Sequence, residues 1–331
     1  MKAIVLTKFG PPEVLQLREV EKPTPEDHDV LIRIHATTVT AGDCQLRSLR
    51  LPIWLRLPLR IYGGHIRRGD MILGQELAGV IEAVGNAVTR FREGDHVFGW
   101  TGSGLGAYAE YTCLPEDGVL AIKPSTMTYV EAAPLPVGGL DATYFLREGH
   151  IQPGHKVLIH GAGGSIGTFA LQLAKYFGAE VTAVDSTEKL DLLRSLGADQ
   201  VIDYTQEDVT RSGETYDAIF DLVGKSSFSR SVRSLTRHGR YLLGNPRPSQ
   251  RVRGRWMSRS GSKRVIPWAT RPQSEYAADS KFLTELIEAG KVHSVIDRSY
   301  PLEQTADAHR YVETGHKKGH VVITVDQNSA P

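Results

Sequence analysis

The segment VLIHGAGGSIGTFALQLAK, residues 157–175, constrains the fold more than any other part of the chain. An apolar run typical of a buried strand leads into a cluster of small residues, and a helical pattern follows. Gly161, Gly164 and Gly167 recur at a spacing of three residues at this junction. Glycines there allow a tight turn and let an anion approach the backbone at a helix N-terminus. The segment therefore predicts a strand, a phosphate-binding turn and a helix, in that order.

The residues around this turn indicate a dinucleotide. The spacing is close to the signature G-x-G-x-x-G, with Ala162 at the first glycine position. Asp185 ends the next predicted strand, where it could accept hydrogen bonds from ribose hydroxyls and would repel a 2′-phosphate. Ser186, Lys189 and Tyr204 could surround such a phosphate. Dinucleotide binding is favoured over a plain tight turn, and the choice between NAD(H) and NADP(H) stays open.

The order of elements along the chain predicts two domains. A chain of 331 residues is longer than one typical core. Short strand patterns fill the chain to about residue 122, strands and helices then alternate, and HVVITV closes it as a strand. This order predicts a β-rich domain formed by residues 1–122 and 274–331. A doubly wound α/β domain with a parallel sheet is predicted for residues 123–273.

Charge and cysteine content exclude several classes of protein. The formal net charge is +1, so no global field attracts the chain to nucleic acid or to a membrane. Cys44 and Cys113 are the two cysteines, too few for a four-thiolate zinc site and typical of a reducing compartment. The first residues lack the long apolar core of a signal peptide, and no stretch reaches transmembrane length. A cytoplasmic location is expected.

Several stretches together carry a family resemblance. Over nearly its whole length the sequence resembles the medium-chain dehydrogenase/reductase superfamily. It is most similar to the zinc-less quinone oxidoreductase branch, which includes zeta-crystallin-like and chloroplast-envelope quinone oxidoreductase-like proteins. The matching stretches are LGQELAGVIEAVGNAVTRFREGDHVFG, GAYAEY, EAAPLPVGGLDATYFL, KVLIHGAGGSIGTFALQLAKYFGAEVTAV, LGADQVIDY, YDAIFDLVG and GHVVITV.

The resemblance implies a fold and a cofactor site. It implies a GroES-like β-rich catalytic domain, a Rossmann domain, an active site in the cleft between them and direct hydride transfer from a nicotinamide. It also implies that the turns Val223-Gly224 and Gly244-Asn245 lie along the cofactor, mostly through backbone. The full set of implied cofactor residues is Gly161, Ala162, Gly163, Gly164, Ser165, Ile166, Gly167, Asp185, Ser186, Lys189, Tyr204, Val223, Gly244 and Asn245. The acid at position 185 is a departure, because it matches NAD-using alcohol dehydrogenases rather than NADPH-using quinone reductases.

A comparison with the zinc enzymes of this superfamily predicts a chain without metal. Those enzymes carry a Cys, a Gly-His-Glu motif and a second Cys. Here Thr40 stands at the first position, Gln75 replaces the histidine, and LPVGGLDATY holds neither Cys nor His. Catalytic zinc needs three protein ligands, so no zinc is expected. The alternative is an improvised metal site formed by Asp43, Cys44, His65 and Glu76.

Without a Lewis acid, reduction of a quinone or an α,β-unsaturated carbonyl is easier than oxidation of an alcohol. Thr40 stands where relatives carry an Asn near the nicotinamide, and its hydroxyl could donate to a substrate oxygen. Tyr62 is a second candidate donor. Asp43 either orients these groups or caps a helix. Glu76 either orients polar groups or forms a buried pair with Arg47 or another base.

Two segments, 46–68 and 247–264, are rich in arginine and carry tryptophan. For the first, a lid that shapes an apolar pocket is favoured. For the second, a solvated loop and insertion is favoured, with membrane contact as the next interpretation. Peripheral membrane contact through either segment stays an alternative because basic and apolar residues together favour anionic bilayers. Nucleic-acid binding is not expected, and an anionic substrate such as an acyl-CoA would also use these arginines.

These observations predict a zinc-independent, NAD(P)H-dependent oxidoreductase that acts on a small apolar quinone or enone. Two alternatives stay open: an alcohol or ketone dehydrogenase of the same superfamily, and a non-catalytic, membrane-associated nucleotide binder. By analogy with relatives, a homodimer is expected through the edge strands of the Rossmann sheets, near the sequence YLLG. The physiological substrate and the proton donor are not specified by the sequence.

Overall fold

The computed structural model describes residues 1–49, 71–224, 226–269 and 271–325. The chain divides into two compact units. One unit is formed by Met1–Val137 together with Ser294–Pro331, and the other is Gly138–His293.

The first unit is β-rich. A sheet of seven strands has the order β15-β16-β3-β5-β6-β8, with β7 paired to β3, and a smaller sheet has the order β2-β1-β4. Neighbouring strands are antiparallel except β15 and β16, which are parallel. The strands are β1 Lys2–Leu6, β2 Leu15–Glu19, β3 Asp29–Thr38, β4 Met71–Ile72, β5 Glu76–Val84, β6 His96–Trp100, β7 Tyr111–Pro115, β8 Val119–Ile122, β15 Ile296–Pro301 and β16 His320–Thr324.

The long pair β3 and β5 positions the polar residues of the first unit. The two backbones approach so closely that a Cβ at Gly79 would lie 2.1 Å from the carbonyl oxygen of Arg33. Glycine therefore lets the strands meet. Thr40 follows the end of β3, and Glu76 begins β5, so these two residues lie at the same end of the pair.

The second unit contains a parallel sheet of six strands in the order β11-β10-β9-β12-β13-β14. Its central strand KVLIH is an almost continuous apolar run with three fully buried residues, as expected for a parallel strand covered on both faces. Strands β10 and β11 are added on one side of β9, and β12, β13 and β14 on the other, so the strand order reverses beside β9. Ligands of such folds bind at the carboxyl ends of the strands at this switch point. The strands are β9 Lys156–His160, β10 Glu180–Asp185, β11 Gln200–Asp203, β12 Tyr216–Asp221, β13 Leu235–Leu243 and β14 Arg264–Pro267.

The helices complete both units. In the first unit they are α1 Ala41–Arg47, α2 Tyr129–Ala132 and α9 Thr305–Glu313. In the second unit they are α3 Leu140–Glu148, α4 Ser165–Tyr176, α5 Leu190–Ser195, α6 Phe228–Arg233, α7 Pro248–Ser260 and α8 Gln273–Glu288. None of the described helices is long and apolar enough to cross a membrane.

The α/β class with a GroES-like unit and a Rossmann-like unit is confirmed. The division by contacts lies at 137/138 and 293/294, whereas the predicted boundaries were 122/123 and 273/274. Helix α2 therefore belongs to the first unit and helix α8 to the second, the reverse of the predicted assignment. Helix α8 lies in the second unit because its Asp279 forms ion pairs with Arg147 on α3 and with Arg271. Strand β15 and helix α9 were not predicted from the sequence.

The prediction of a solvated loop for segment 247–264 is wrong. Most of the segment forms helix α7, which begins with Pro248 at its first position, where proline is favoured. The segment then enters strand β14, which pairs with β13 along Tyr241 to Leu243. The sequence YLLG is therefore not at the edge of the sheet, because β14 covers it.

Candidate functional site

The glycine turn after β9 has the geometry of an anion-binding loop. Gly161 adopts a φ of +82°, and Gly164 is the N-cap of α4, which begins at Ser165. A Cβ at Gly167 would lie 2.3 Å from the carbonyl oxygen of Gly161 and 2.6 Å from that of Ala162. The first turn of α4 thus packs directly on the loop backbone. The positive end of the helix dipole lies at this turn.

The carboxylate of Asp185 is held by the loop itself. Its Oδ2 accepts a hydrogen bond from the backbone N–H of Gly163 at 2.8 Å, and its Oδ1 accepts one from the N–H of Ser186 at 2.9 Å. Lys189 Nζ lies 3.2 Å from Oδ1. Asp185 is only 5% exposed. Its negative charge is therefore balanced inside the protein, in the ordinary way for a buried carboxylate.

The candidate phosphate-binding residues lie together around this carboxylate. The side chain of Lys189 covers Gly163, where an added Cβ would meet its Cδ at 2.7 Å. Ser186 is half-buried, and Tyr204 is 62% exposed with its backbone N–H bonded to the carbonyl of Asp185 at 3.2 Å. The structure therefore brings Ser186, Lys189 and Tyr204 to the carboxyl ends of the neighbouring strands β10 and β11.

The two remaining predicted turns also approach the glycine loop. A Cβ at Gly161 would lie 2.7 Å from Cγ2 of Val223, and a Cβ at Gly224 would lie 2.7 Å from the carbonyl oxygen of Asn245. The N–H of Gly244 bonds back to the end of β12 at 3.0 Å. The predicted cofactor residues thus lie at the carboxyl ends of β9, β10, β11, β12 and β13. A dinucleotide fits this arrangement of backbone N–H groups and small residues.

In the first unit, Thr40 and Asp43 form a closed hydrogen-bonded pair at the start of α1. Thr40 Oγ1 donates to Asp43 Oδ2 at 2.6 Å and accepts from the N–H of Asp43 at 3.1 Å. The N–H of Thr40 also donates to Oδ2 at 2.9 Å. This is a capping box, so the helix-cap interpretation of Asp43 has geometric support. With Asp43 ionised, the hydroxyl hydrogen of Thr40 is directed into the protein.

Burial raises the pKa of Asp43 to about 6, against hydrogen bonds from Thr40, Gln75 and Tyr108 that lower it. The Gln75 amide lies beside the Thr40 hydroxyl. A Cβ at Gly42 would meet Gln75 Nε2 at 3.0 Å and Thr40 Oγ1 at 3.4 Å. A carboxyl group with this pKa changes its protonation close to neutral pH.

A buried histidine extends this network and fixes its direction. Arg47 Nε, which can only donate, lies 3.3 Å from His309 Nδ1. Burial and the Arg47 charge lower the pKa of His309 to about 3, so the ring is neutral and carries its hydrogen on Nε2. Nε2 therefore donates to the Tyr108 hydroxyl at 3.1 Å, which leaves the Tyr108 hydrogen directed toward Asp43. Arg47 also pairs with Glu313 at 2.6 Å.

Of the alternatives for Glu76, a pair with Arg47 is not formed. The carboxylate of Glu76 accepts hydrogen bonds from the Thr38 hydroxyl and from the N–H of Val137, the latter at 2.8 Å. Arg47 is instead buried against His309 and α9, because that helix folds back onto α1.

The described residues do not fit a catalytic zinc. Thr40 and Gln75 occupy positions where the zinc enzymes carry ligands, and the Thr40 hydroxyl is bonded to Asp43. Burial raises the pKa of the Cys44 thiol to about 12, which disfavours the thiolate that metals require. Across the described ranges, no three His, Cys, Asp or Glu side chains are placed to hold a metal ion. His65, a member of the improvised site, lies outside the described residues.

Tyr62 and most of segment 46–68, including the predicted lid, also lie outside the described residues. Sequence reasoning missed His309 and Tyr108. No local signal could have identified them, because 265 positions separate His309 from Cys44, which it contacts at 3.4 Å.

Comparison with known proteins identifies the family. The family model described as Zinc-binding dehydrogenase matches residues 196–323, and the one described as Alcohol dehydrogenase GroES-like domain matches residues 26–124. A chloroplastic NADPH-dependent alkenal/one oxidoreductase of Arabidopsis thaliana is 30% identical, over 98% of this chain and 79% of its own length. The chain belongs to the medium-chain dehydrogenase/reductase superfamily, in its quinone oxidoreductase branch.

Two further relatives are similar over the whole length of this superfamily member. A quinone oxidoreductase of Pseudomonas aeruginosa is 32% identical, over 97% of this chain and 99% of its own. The crystal structure of the Escherichia coli quinone oxidoreductase complexed with NADPH has a TM-score of 0.82 at 27% identity. That match covers 98% of this chain and 100% of the other.

The close packing at Gly167 predicts the effect of a methyl group there. We expect Gly167→Ala to lower the free energy of unfolding by about 1–3 kcal/mol, because the clash is with backbone that cannot move aside. The same substitution should weaken dinucleotide binding, because it displaces the glycine loop. Denaturant unfolding and fluorescence titration with NADPH measure the two effects.

Gly261→Ala is the matched control. This glycine has a φ of −136° and only one atom within 4 Å of the added Cβ, at 3.5 Å. Equal effects of the two substitutions would contradict the argument.

Proposed function

We propose that the chain is an NAD(P)H-dependent, zinc-independent oxidoreductase that reduces a quinone or an α,β-unsaturated carbonyl compound. The main support is that the predicted cofactor-binding residues lie together at the carboxyl ends of five parallel strands. Relatives named as quinone and alkenal/one oxidoreductases support the substrate class. When bound, the nicotinamide supplies the hydride, and the chain's own residues bind and orient both reactants. A homodimer in the cytoplasm is part of the same proposal, with β14 as the terminal strand of the sheet.

Within this function we propose that NADPH is the preferred cofactor. An aspartate at the end of the second strand would favour NADH if its carboxylate were available to the ribose. Here the Asp185 carboxylate already accepts hydrogen bonds from the backbone N–H groups of Gly163 and Ser186 and forms an ion pair with Lys189. The ion pair reduces its repulsion of a 2′-phosphate. Lys189 and the exposed Tyr204 then offer a cation and a ring beside that phosphate.

We further propose that Thr40 polarises the substrate oxygen and that Asp43 controls when it does so. With Asp43 ionised, its carboxylate can only accept, so Thr40 donates inward across the 2.6 Å between Thr40 Oγ1 and Asp43 Oδ2. With Asp43 protonated, the carboxyl O–H donates to Thr40 and releases its hydroxyl hydrogen for the substrate. A donor directed at the oxygen that gains charge during hydride transfer lowers the barrier. Tyr62 stays a second candidate donor in this proposal.

Removal of the Lys189 charge tests the cofactor preference. Charge-assisted hydrogen bonds contribute about 1.5–3 kcal/mol, so Lys189→Met should raise the KM for NADPH about 10- to 100-fold. The KM for NADH should change little, and Lys189→Arg should retain most of the preference. Lys156→Met, which removes an exposed lysine from the same unit, serves as the control. Equal increases of KM for both cofactors would show that Lys189 acts only by supporting the loop.

The pH profile tests the roles of Thr40 and Asp43. Since the raised pKa keeps Asp43 protonated below about pH 6, kcat/KM should fall as the pH rises through this value. D43N is neutral and does not titrate, so kcat/KM of this variant should no longer fall as the pH rises through this value. Thr40→Val should lower kcat/KM about 10- to 100-fold and abolish its fall with rising pH.

Three described titratable groups of the same network, Cys44, Tyr108 and His309, do not titrate in this range. Burial raises the pKa values of Cys44 and Tyr108, and burial keeps His309 neutral. If kcat/KM of D43N still fell with rising pH as it does in the wild type, Asp43 would not be the group responsible.

Chelation tests independence from zinc. Turnover of an ortho-quinone and a 2-alkenal should be unchanged after treatment with a strong zinc chelator, since the described residues offer no three-ligand site. Metal analysis of the purified protein should find less than one zinc per chain. A zinc-dependent alcohol dehydrogenase serves as the positive control. Ketone reduction that is lost on chelation and restored by zinc would favour the alcohol dehydrogenase alternative.

A further inference from the structure

Helix α7 has a composition that the proposed oxidoreductase function does not use. Its sequence, PSQRVRGRWMSRS, contains four arginines and no acidic residue. The surrounding stretch from residue 245 to residue 274 also lacks Asp and Glu. The whole chain carries a formal charge of only +1, so the positive charge of α7 is a local feature.

One side of α7 is fixed against the sheet. Gly254 and Gln250 are buried, and a Cβ at Gly254 would lie 2.6 Å from Cγ1 of Val265 on β14. At 100° per residue, Val252 and Trp256 lie on the opposite side of the helix, one turn apart. They are 72% and 73% exposed, the largest values among the exposed large apolar side chains of the described residues.

Three arginines lie along one side of this apolar pair, between it and the buried side of the helix. Arg251, Arg255 and Arg259 are exposed and form no ion pair with any described residue. Arg253 differs, because its guanidinium lies over the Phe228 ring at 5.3 Å and is turned toward α6. We define the α7 face as Arg251, Val252, Arg255, Trp256 and Arg259.

We propose that the α7 face docks on the surface of an anionic lipid bilayer. A tryptophan and an aliphatic side chain on the exposed side of a helix, with arginines beside them, suit the boundary between headgroups and acyl chains. The indole is stable at this boundary because one end is apolar and the other is polar. The arginines, which have no counter-ion among the described residues, would pair with lipid phosphates and carboxylates.

Two other occupants fit the face less well. A second copy related by a two-fold axis through this face would bring arginines against the same arginines, which is unfavourable. Nucleic acid would match the charge, but it offers little to an exposed aliphatic residue and a tryptophan.

Vesicle co-sedimentation of the full-length protein tests the proposal. We expect binding to vesicles that contain phosphatidylserine and phosphatidylcholine, and none to vesicles of phosphatidylcholine alone. Binding should be lost at about 1 M salt, where the Debye length is about 3 Å. Trp fluorescence should shift to shorter wavelength on binding, and this shift should disappear in Trp256→Phe. Soluble glycerophosphoserine should not compete, because it offers no bilayer.

Two sets of variants locate the binding surface. Replacing Arg251, Arg255 and Arg259 together by Gln should weaken vesicle binding about 100-fold, since each basic residue near an anionic surface contributes roughly a factor of five. Val252→Ser combined with Trp256→Ser should weaken it as well.

Matched controls make the same changes elsewhere on the surface. One control replaces Arg18, Arg92 and Arg194 by Gln. The other replaces Leu17 and Ile122, which are exposed, by Ser. Both controls should bind vesicles like the wild type, and all variants should retain the thermal midpoint and the NADPH-dependent activity.

Three results would overturn the proposal. The first is absence of binding to phosphatidylserine vesicles at low salt, or binding that the α7 variants leave unchanged. The second is binding of duplex DNA by the α7 face without binding to vesicles. The third is conversion of an oligomer to a monomer by the Val252 and Trp256 substitutions in analytical ultracentrifugation, which would assign the face to a second copy of this chain.

Discussion

The cofactor-binding unit depends on one close approach between backbone atoms. The first turn of α4 packs on the loop so tightly that Gly167 has no room for a methyl group beside the carbonyls of Gly161 and Ala162. This contact fixes the helix N-terminus at the carboxyl end of β9. The hydrogen bond from Gly163 to Asp185 then joins the loop to β10. The other strand ends are positioned relative to this loop, so the arrangement that suits a dinucleotide follows from the packing of glycine against backbone.

Each unit contains a buried carboxylate, and the two carboxylates differ in their partners. Asp185 has a lysine and two backbone N–H groups as partners, so its charge is compensated. Asp43 has hydrogen bonds but no direct cation, and its pKa rises to about 6 because burial outweighs them. Arg47, on the same helix, is engaged by Glu313 and His309. A buried carboxylate without a cation, such as Asp43, can change protonation state within a useful pH range.

The fold class and the cofactor loop could be predicted because their signals are local. A buried apolar strand, a glycine turn and an amphipathic helix are adjacent in sequence, and glycine is required where a side chain cannot fit. Segment 247–264 shows where local reasoning failed. Its polar composition indicated a loop, but Gly254 lets α7 pack on Val265 and β14 complete the sheet beyond YLLG. Tertiary packing overrode a composition that by itself disfavours burial.

The sequence by itself determined the superfamily, the β-rich and Rossmann-like units and the residue types at the strand ends, because spacing and residue chemistry carry that information. Only the tertiary structure decided which charges are paired. It joined Asp185 to Lys189, which the sequence presented as opposing signals for the cofactor. It also brought His309 from the last helix against residues of the first, where it is held neutral. Burial and long-range contacts set the ionisation state of His309, and neither is encoded within any short stretch of the chain.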